Sequence, residues 1–418
     1  MPVLRTGLWL QQYTPPRILK KHAYQSPNGK RYAESRQSFV SGIGPILLLT
    51  TIFLLNFSSR VIFAPLLPVI ENDLGIRHGA AGSLFLLISS GYMLSLFGSG
   101  WVAAKLTHRR SIILSATIVG LALALIAAAD RLATIRLSLF VLGLAAGIYL
   151  PSGIATLTDL IEQRHWGKAI AIHELAPNLG FVAAPLLTEA LLLRLPWRAV
   201  ILLVGAAGLL VGVTYARFGR GGEFHGTAPN VASIKSFTAR PSFWTMVLLF
   251  SLGVSGTLGL FTMLPLYLVT EQGVERQLAN SLVAASRLSG LFMAFAGGWA
   301  ADRFGPRGTM TAVLLITGLM TILVGMVSGT PVLVFVFLQP LAAVCFFPAG
   351  FAALSRIAPS GGRNVAVSLT VPLGFLIGGG AVPLMIGFMG DHYSFALGIS
   401  IVGACTAAGA LPAYFLKL

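Results

Sequence analysis

Charged residues are scarce in this chain of 418 residues. They make up 10% of it, whereas about 25% is usual in a soluble domain, so the chain cannot cover a water-facing surface. Cysteine is nearly absent as well. Cys345 and Cys405 both lie inside apolar runs and lack CxxC spacing, so we expect neither a disulfide framework nor a metal site.

Motifs for nucleotide and catalytic chemistry are also missing. No Gly-x-x-x-x-Gly-Lys-Ser/Thr phosphate loop occurs, so we expect no ATP-driven step within this chain. The seven histidines are scattered and show no zinc or Ser/His/Asp spacing. We therefore predict that the protein is not an enzyme and needs no cofactor.

Long apolar runs dominate what is present. Hydrophobic residues make up 56% of the chain and the mean hydropathy is +0.83. The runs are roughly 18 to 28 residues long, which is the length of a helix that spans a bilayer. We predict an all-α membrane protein with twelve transmembrane helices in two six-helix halves. The predicted spans are 43–70, 81–104, 111–130, 134–158, 167–192, 198–216, 242–270, 276–300, 309–328, 331–355, 364–388 and 394–416.

The basic residues are distributed unevenly between the two sides of these spans. A net charge of +16 is compatible with a nucleic-acid partner, but the 29 basic residues form no single stripe. Most of them fall in segments on the side of the N-terminus, which the positive-inside rule assigns to the cytoplasm. We therefore predict a multi-pass protein of the cell inner membrane, with both termini cytoplasmic and no nucleic-acid partner.

An internal repeat divides the chain into two halves. The run GWVAAKLTHR, from Gly100 to Arg109, matches GWAADRFGPR, from Gly298 to Arg307, and each copy closes the second helix of its half. Parallel duplicated halves are typical of one class of secondary transporters. We predict a cytoplasmic tail at 1–42, a first bundle at 43–216, a linker at 217–241 and a second bundle at 242–418.

The second copy of the repeat resembles the signature Gly-x-x-x-Asp-Arg-x-Gly-Arg-Arg of the major facilitator superfamily. The residues that carry the resemblance are Gly298, Asp302, Arg303, Gly305 and Arg307. The resemblance implies the superfamily fold, alternating access of a central site to the two sides, and function as a monomer.

Gating charges are expected next to this signature. Asp302 could accept hydrogen bonds from the start of the fifth helix, where the helix dipole favours an anion. The first copy has Ala104 in place of the aspartate, which leaves its half without that charge. Asp159, at the end of the fourth helix, could pair with Arg109 or Arg110 and join the gate.

Two arginines lie deep inside predicted spans. Arg60 and Arg287 come from different halves, and charges at such depth are functional-site hypotheses by default. A guanidinium suits bidentate capture of a carboxylate, and such arginines are similar to those of the superfamily's organic-anion porters. The alternative is a structural role, in which each arginine pairs with a buried acid or with backbone carbonyls. Tyr92, Tyr149 and Gln339 are further candidates for the cavity wall.

Glu174 is the acid of greatest interest. It lies within the fifth span beside His173, and a carboxylate in a cavity of low dielectric could gain and lose a proton during a transport cycle. We predict proton coupling at Glu174 and His173, with a structural salt bridge from Glu174 to Arg60 or to the fourth helix as the alternative.

These residues predict a secondary active transporter that moves a small organic anion, monocarboxylate-like, together with a proton across the lipid bilayer. Two alternatives stay open. One is proton-coupled efflux of drugs or lipophilic cations, for which an accessible acid such as Glu174 suffices. The other is a non-transporting membrane scaffold built on a transporter fold.

Overall fold

The computed structural model describes residues 39–227, 231–357 and 363–417. All but the last four residues of the predicted N-terminal tail lie outside these ranges. The described part contains twelve helices that are long and apolar enough to cross a membrane, which confirms the predicted fold class. They are α1 (Ser41–Leu74), α2 (His78–Lys105), α3 (His108–Ala128), α4 (Leu132–Leu160), α5 (Gln163–Leu192), α6 (Trp197–Phe218), α7 (Pro241–Thr270), α8 (Arg276–Phe304), α9 (Pro306–Met326), α10 (Thr330–Ile357), α11 (Ala366–His392) and α12 (Phe395–Phe415).

The helices match the predicted spans closely. A segment in lipid must satisfy its own backbone polar groups, and a helix does so. Several run a few residues past the predicted ends. The first helix continues to Leu74 and stops at Gly75, whose φ of +60° is left-handed and whose N–H donates to the Glu71 carbonyl. Such a glycine cap ends a helix at little steric cost.

The two six-helix halves meet along three helix pairs. Helix α2 packs against α11, α1 against α7, and α5 against α8. The α5–α8 contact is concentrated in residues 276–288 of α8 and is slight over residues 290–304. We call the end of the bundle where α1, α5, α7 and α11 finish the closed end, and the end where α2 and α8 finish the open end.

Glycines set the separation of the helices inside each half. A Cβ on Gly143 of α4 would lie well inside van der Waals contact of the Ile88 carbonyl oxygen on α2. The carbonyl oxygen belongs to the backbone, and a Cβ is bonded directly to it, so neither atom can move aside. Small residues that allow such close approach are common in membrane helix packing.

We therefore expect Gly143→Ala to destabilise the protein by about 1–3 kcal/mol through overpacking. The measurement is the Tm of the detergent-purified protein. Gly98→Ala on α2 is the matched control, because a Cβ there would meet nothing within 4 Å. Equal Tm values for the two variants would contradict the proposed packing.

Two of the helices contain a π-turn. Ser255–Gly259 interrupts α7 and Ile377–Ala381 interrupts α11. The two turns face each other, and a Cβ on Gly259 would collide with the Gly378 carbonyl. A π-turn frees backbone groups from the regular helix pattern and often marks a functional site.

The described segments between α6 and α7 divide between the halves. On the first-half side, the carbonyls of Gly222 and Phe224 accept from the backbone N–H groups of Arg109 and His108. After the gap at 228–230, the short helix Val231–Thr238 packs against the second half, where Phe237 joins the core.

Candidate functional site

A cavity lies between the two halves. Four helices supply its walls: α1 and α2 from the first half, and α7 and α11 from the second. Most of the lining is apolar or aromatic, with a few polar groups, as in most small-molecule sites. The lining residues are Arg60, Val61, Phe85, Ile88, Ser89, Tyr92, Leu258, Thr262, Phe375 and Gly379.

Among the described residues that line this cavity, Arg60 alone carries a full charge. Its side chain is buried, and its guanidinium lies 4.1 Å from the centroid of the Tyr92 ring and 5.2 Å from that of Phe57. Among the described residues no carboxylate lies within ion-pair distance of it. Its Nε has no hydrogen-bond partner in that part of the chain.

Arg287 occupies a similar environment on α8. Its buried guanidinium lies 5.0 Å from the ring centroids of both Phe181 and Phe261. Its Nη2 donates to the Thr257 carbonyl at 2.9 Å, a group within the π-turn of α7. Within the described ranges Arg287 also lacks a carboxylate partner, and its Nε is unpaired.

An aromatic cluster connects the two arginines. Phe57 meets Phe181 edge-on at 4.9 Å, and Phe181 meets Phe261 edge-on at 4.7 Å. The arginines, which the sequence places in different halves, are thus brought to one apolar region between the halves. Burying a charge costs several kcal/mol, and cation–π contacts recover about 0.5–2 kcal/mol each, so both guanidinium groups remain incompletely compensated.

The predicted proton site forms a hydrogen-bonded chain within the first half. His173 is fully buried and is stacked on Phe53. Its Nδ1 lies 3.2 Å from Glu174 Oε1, and its Nε2 lies 3.0 Å from the Tyr149 hydroxyl. Glu174 is half exposed and has no Lys or Arg partner among the described residues. The salt bridge from Glu174 to Arg60, considered as an alternative, is absent from this structure.

Two of the predicted wall residues lie elsewhere. They are Tyr149 and Gln339. Tyr149 is fully buried beside His173, whereas the third predicted wall residue, Tyr92, does line the cavity. Gln339 is buried within the second half, where its Nε2 donates to the Gly256 carbonyl at 2.7 Å and to Thr321 Oγ1 at 3.2 Å. Gly256 belongs to the π-turn of α7, so Gln339 and Arg287 both bind carbonyls of that turn.

The predicted gating residues lie at the open end. Asp302 and Arg303 are exposed, and Asp302 has no ion-pair or hydrogen-bond partner in the described ranges, so its predicted contact with α5 is not made in this conformation. Gly298 lies one turn before Asp302 in α8. Gly305 has a φ of +79°, which explains the glycine of the signature. The Arg307 guanidinium lies 5.8 Å from the Tyr414 ring centroid.

Arg109 binds the end of α6 rather than Asp159. It donates to the carbonyls of Gly219 and Ala216 at 2.6 and 2.9 Å, and lies 3.7 Å from Glu223. Asp159 is exposed, and the predicted Arg109–Asp159 pair is absent here. A cation at a helix C-terminus is favourable, so in this structure Arg109 stabilises the junction of α6 with the following segment.

Polar contacts at the closed end join the two halves, and the sequence did not single them out. Asp391 of α11 accepts from the backbone N–H groups of His78 and Gly79, at 2.9 and 2.8 Å. Both groups belong to the start of α2, where a helix N-terminus favours an anion. Asp391 thus bridges the two halves.

A second bridge lies beside the first. Glu189 of α5 accepts from Arg276 Nη1 at 2.7 Å and from Asn280 Nδ2 at 2.5 Å, both on α8. Asn280 also donates to the Pro65 carbonyl of α1 at 3.2 Å. In sequence, the only hint of either bridge was an acid next to a predicted helix end.

A duplicated twelve-helix bundle with a central charged cavity is typical of secondary transporters. The chain belongs to the Major Facilitator Superfamily, whose family model matches residues 49–299 and 267–418. This confirms the resemblance inferred from the signature after α8.

Curated relatives carry different cargo names. The 4-hydroxybenzoate transporter PcaK of Pseudomonas putida is 24% identical over 73% of this chain and 77% of its own length. The probable L-galactonate transporter of Escherichia coli K12 is 22% identical over 89% and 88%. The multidrug resistance protein MdtL of Klebsiella pneumoniae is 23% identical over 58% of this chain, and the match spans 63% of that relative.

Solved structures share the fold. A bacterial homologue of the human lysosomal transporter Spinster, in an inward-facing and occupied conformation, superposes with a TM-score of 0.77 at 19% identity, covering 90% of this chain and 96% of that one. The D-xylose-proton symporter superposes with a TM-score of 0.76 at 15% identity, covering 91% and 98%.

Proposed function

We propose that the protein is a secondary active transporter that moves a small organic anion, with a monocarboxylate-like group, together with a proton. The observation that carries the proposal is the pair of buried arginines, Arg60 and Arg287, one from each half, neither of which has a carboxylate partner among the described residues. A bound carboxylate would supply the missing partner to one or both guanidinium groups.

The relatives named for 4-hydroxybenzoate and L-galactonate support an organic acid as cargo. In this proposal Glu174, with His173, carries the proton. The open end faces the cytoplasm, because the basic segments lie there. The two halves rock about the central cavity, which Asp302 and its neighbours seal from the cytoplasm in the opposite state.

The first test is a thermal-shift screen of the detergent-purified protein against small carboxylates, inorganic anions, sugars and lipophilic cations. A ligand at 100 times its Kd stabilises the folded state by about 2.7 kcal/mol. We expect a carboxylate to raise the Tm of the wild type and to leave that of Arg287→Ala unchanged. Stabilisation of both proteins by the same carboxylate would remove Arg287 from the site.

Efflux of drugs or lipophilic cations is the second candidate. The observation in its favour is Glu174, which is half exposed and has no Lys or Arg partner in the described ranges, and the multidrug relative is consistent with it. The same screen separates the two candidates. Stabilisation by lipophilic cations alone, abolished by Glu174→Gln and retained in Arg287→Ala, would establish efflux as the better account.

A further inference from the structure

The hydrogen bonds around His173 determine where its protons lie. The Tyr149 hydroxyl is 2.6 Å from the Leu49 carbonyl oxygen and 3.0 Å from His173 Nε2. A tyrosine hydroxyl has one proton to donate. The Leu49 carbonyl can only accept, so it takes that proton, and the hydroxyl oxygen must accept from Nε2–H. His173 therefore carries a proton on Nε2.

The other face of the imidazole then decides the state of Glu174. Neutral His173 with its proton on Nε2 presents a lone pair at Nδ1, and Nδ1 lies 3.2 Å from Glu174 Oε1. A lone pair and an ionised carboxylate repel each other. The contact requires one more proton, either on Glu174 as a carboxylic acid or on Nδ1 as part of an imidazolium.

We propose that His173 and Glu174 form a two-residue site that holds one shared proton, and that Tyr149 is the positioning residue that makes this proton necessary. The inference rests on the proposed function in naming Glu174 as the proton carrier, and it deepens it. Loss of the proton breaks the Glu174–His173 contact, because the Nδ1 lone pair then faces a negative charge. Protonation thus controls the position of the Glu174 side chain.

The proton balance is simple. The protonated pair gives one proton to water through Glu174, which is half exposed, whereas His173 is fully buried. His173 stays neutral with Nε2–H, and Glu174 becomes a carboxylate. No other proton moves, because the hydroxyl of Tyr149 keeps its bond to Leu49.

Titratable and charged groups from four neighbouring helices surround this region. Tyr149 of α4 lies within electrostatic range of Glu174 and of Tyr215 on α6. Tyr92 comes from α2, and Arg60 of α1 lies against it. Tyr92 stacks over Arg60 and lies within electrostatic range of Glu174. A released Glu174 carboxylate therefore enters the field of an arginine that an anionic cargo also needs, so the proton and the anion favour each other's binding.

The test uses ¹⁵N NMR of the histidine-labelled, detergent-purified protein over a pH series, without any cargo. His173→Gln identifies the His173 signals by their loss. In the wild type we expect His173 to carry a proton on Nε2 throughout the series. In Glu174→Gln the amide can donate to Nδ1 of neutral His173, so the contact no longer needs the extra proton.

Tyr149→Phe is the decisive variant. Without the hydroxyl, His173 can place its proton on Nδ1 and donate to ionised Glu174, so the pair no longer needs the extra proton. We expect a neutral Nδ1–H form of His173 to appear in this variant, beside an ionised Glu174. The matched control is Tyr267→Phe, since the Tyr267 hydroxyl also donates to a main-chain carbonyl, that of Val324, and accepts from Gln272.

A wild-type His173 that carries its proton on Nδ1, with bare Nε2, would overturn the inference. So would a Tyr149→Phe protein whose neutral His173 keeps its proton on Nε2, as in the wild type and in Tyr267→Phe. The result does not depend on the cargo screen, because no anion is present. A failed screen combined with the expected proton positions would reject the organic-anion assignment and leave the shared proton in place.

Discussion

Arg287→Gln is expected to abolish transport while leaving the ligand-free protein as stable as the wild type or more stable. Arg287 is a buried cation with two aromatic neighbours, one backbone acceptor and no acidic partner in the described ranges. A charge in this setting costs stability. Removing the Arg287 charge therefore relieves an unfavourable burial in the ligand-free protein. In the protein with bound anion, it removes the attraction between the guanidinium and the anion.

The size of the loss follows from hydrogen bonding to charged groups. Truncating one partner of a buried charge pair costs about 2–5 kcal/mol, and about 1.4 kcal/mol is a factor of ten. We expect the affinity for the anion to fall at least about 30-fold. Arg287→Lys keeps the charge but loses the planar fork, so it should restore only part of the activity.

The measurement pairs uptake into proteoliposomes with the Tm of the ligand-free protein. Arg136→Gln serves as the control, because Arg136 lies near the start of α4 and its Nε is also unpaired among the described residues. Loss of uptake together with a lowered Tm would show that Arg287 supports the fold. Unchanged uptake in Arg287→Gln would end the cargo assignment.

Asp391→Ala is expected to shift the protein toward a state in which the closed end has opened. Asp391 accepts two backbone N–H groups from the start of α2 across the boundary between the halves. Hydrogen bonds to a charged group contribute about 1.5–3 kcal/mol each. A net loss of about 2 kcal/mol would raise the population of the opened state about 30-fold.

Spin labels measure this change directly. We would replace Cys345 and Cys405 by serine, introduce cysteines at Asp130 and Ser328, and measure their separation by double electron–electron resonance. Both label sites are exposed, lie in loops at the closed end and belong to different halves. The wild type should give one short distance, and Asp391→Ala should add a longer one.

Glu271→Ala is the matched control for this experiment. Glu271 also caps a helix start, by accepting from the N–H groups of Phe395 and Ala396, but both partners lie in its own half. Its removal should lower stability without changing the distance between the halves. If the two variants gave the same distance distribution as the wild type, Asp391 would have no role in closure.

Hydropathy was sufficient to predict the twelve spans because the bilayer imposes one length and one composition on each of them. The two arginines were also visible in sequence, since a cation inside an apolar run stands out. The contrast that reveals Arg60 among Phe57, Val61 and Ile62 is local, and a local signal needs no knowledge of the fold.

The closed-end bridges could not be predicted in the same way. Asp391 lies 313 residues from His78 in sequence, and an acid beside a helix end is usually solvated. Its partners are backbone N–H groups, which every residue but proline has and which therefore leave no mark in a sequence. The prediction that Tyr149 lines the cavity differed from the structure for a related reason. The position of a tyrosine along a helix does not tell whether its hydroxyl meets the cavity or a neighbouring helix.

The way the chain passes from one half to the other sets a limit on how far the bundle can open. The first half holds this passage as far as Gly226, whose N–H donates to the Ala103 carbonyl, and the second half takes it up from the helix that begins at Val231. Five residues of fully extended chain reach about 17 Å. While both attachments hold, the length of this connection therefore limits the distance by which the two halves can separate at the open end.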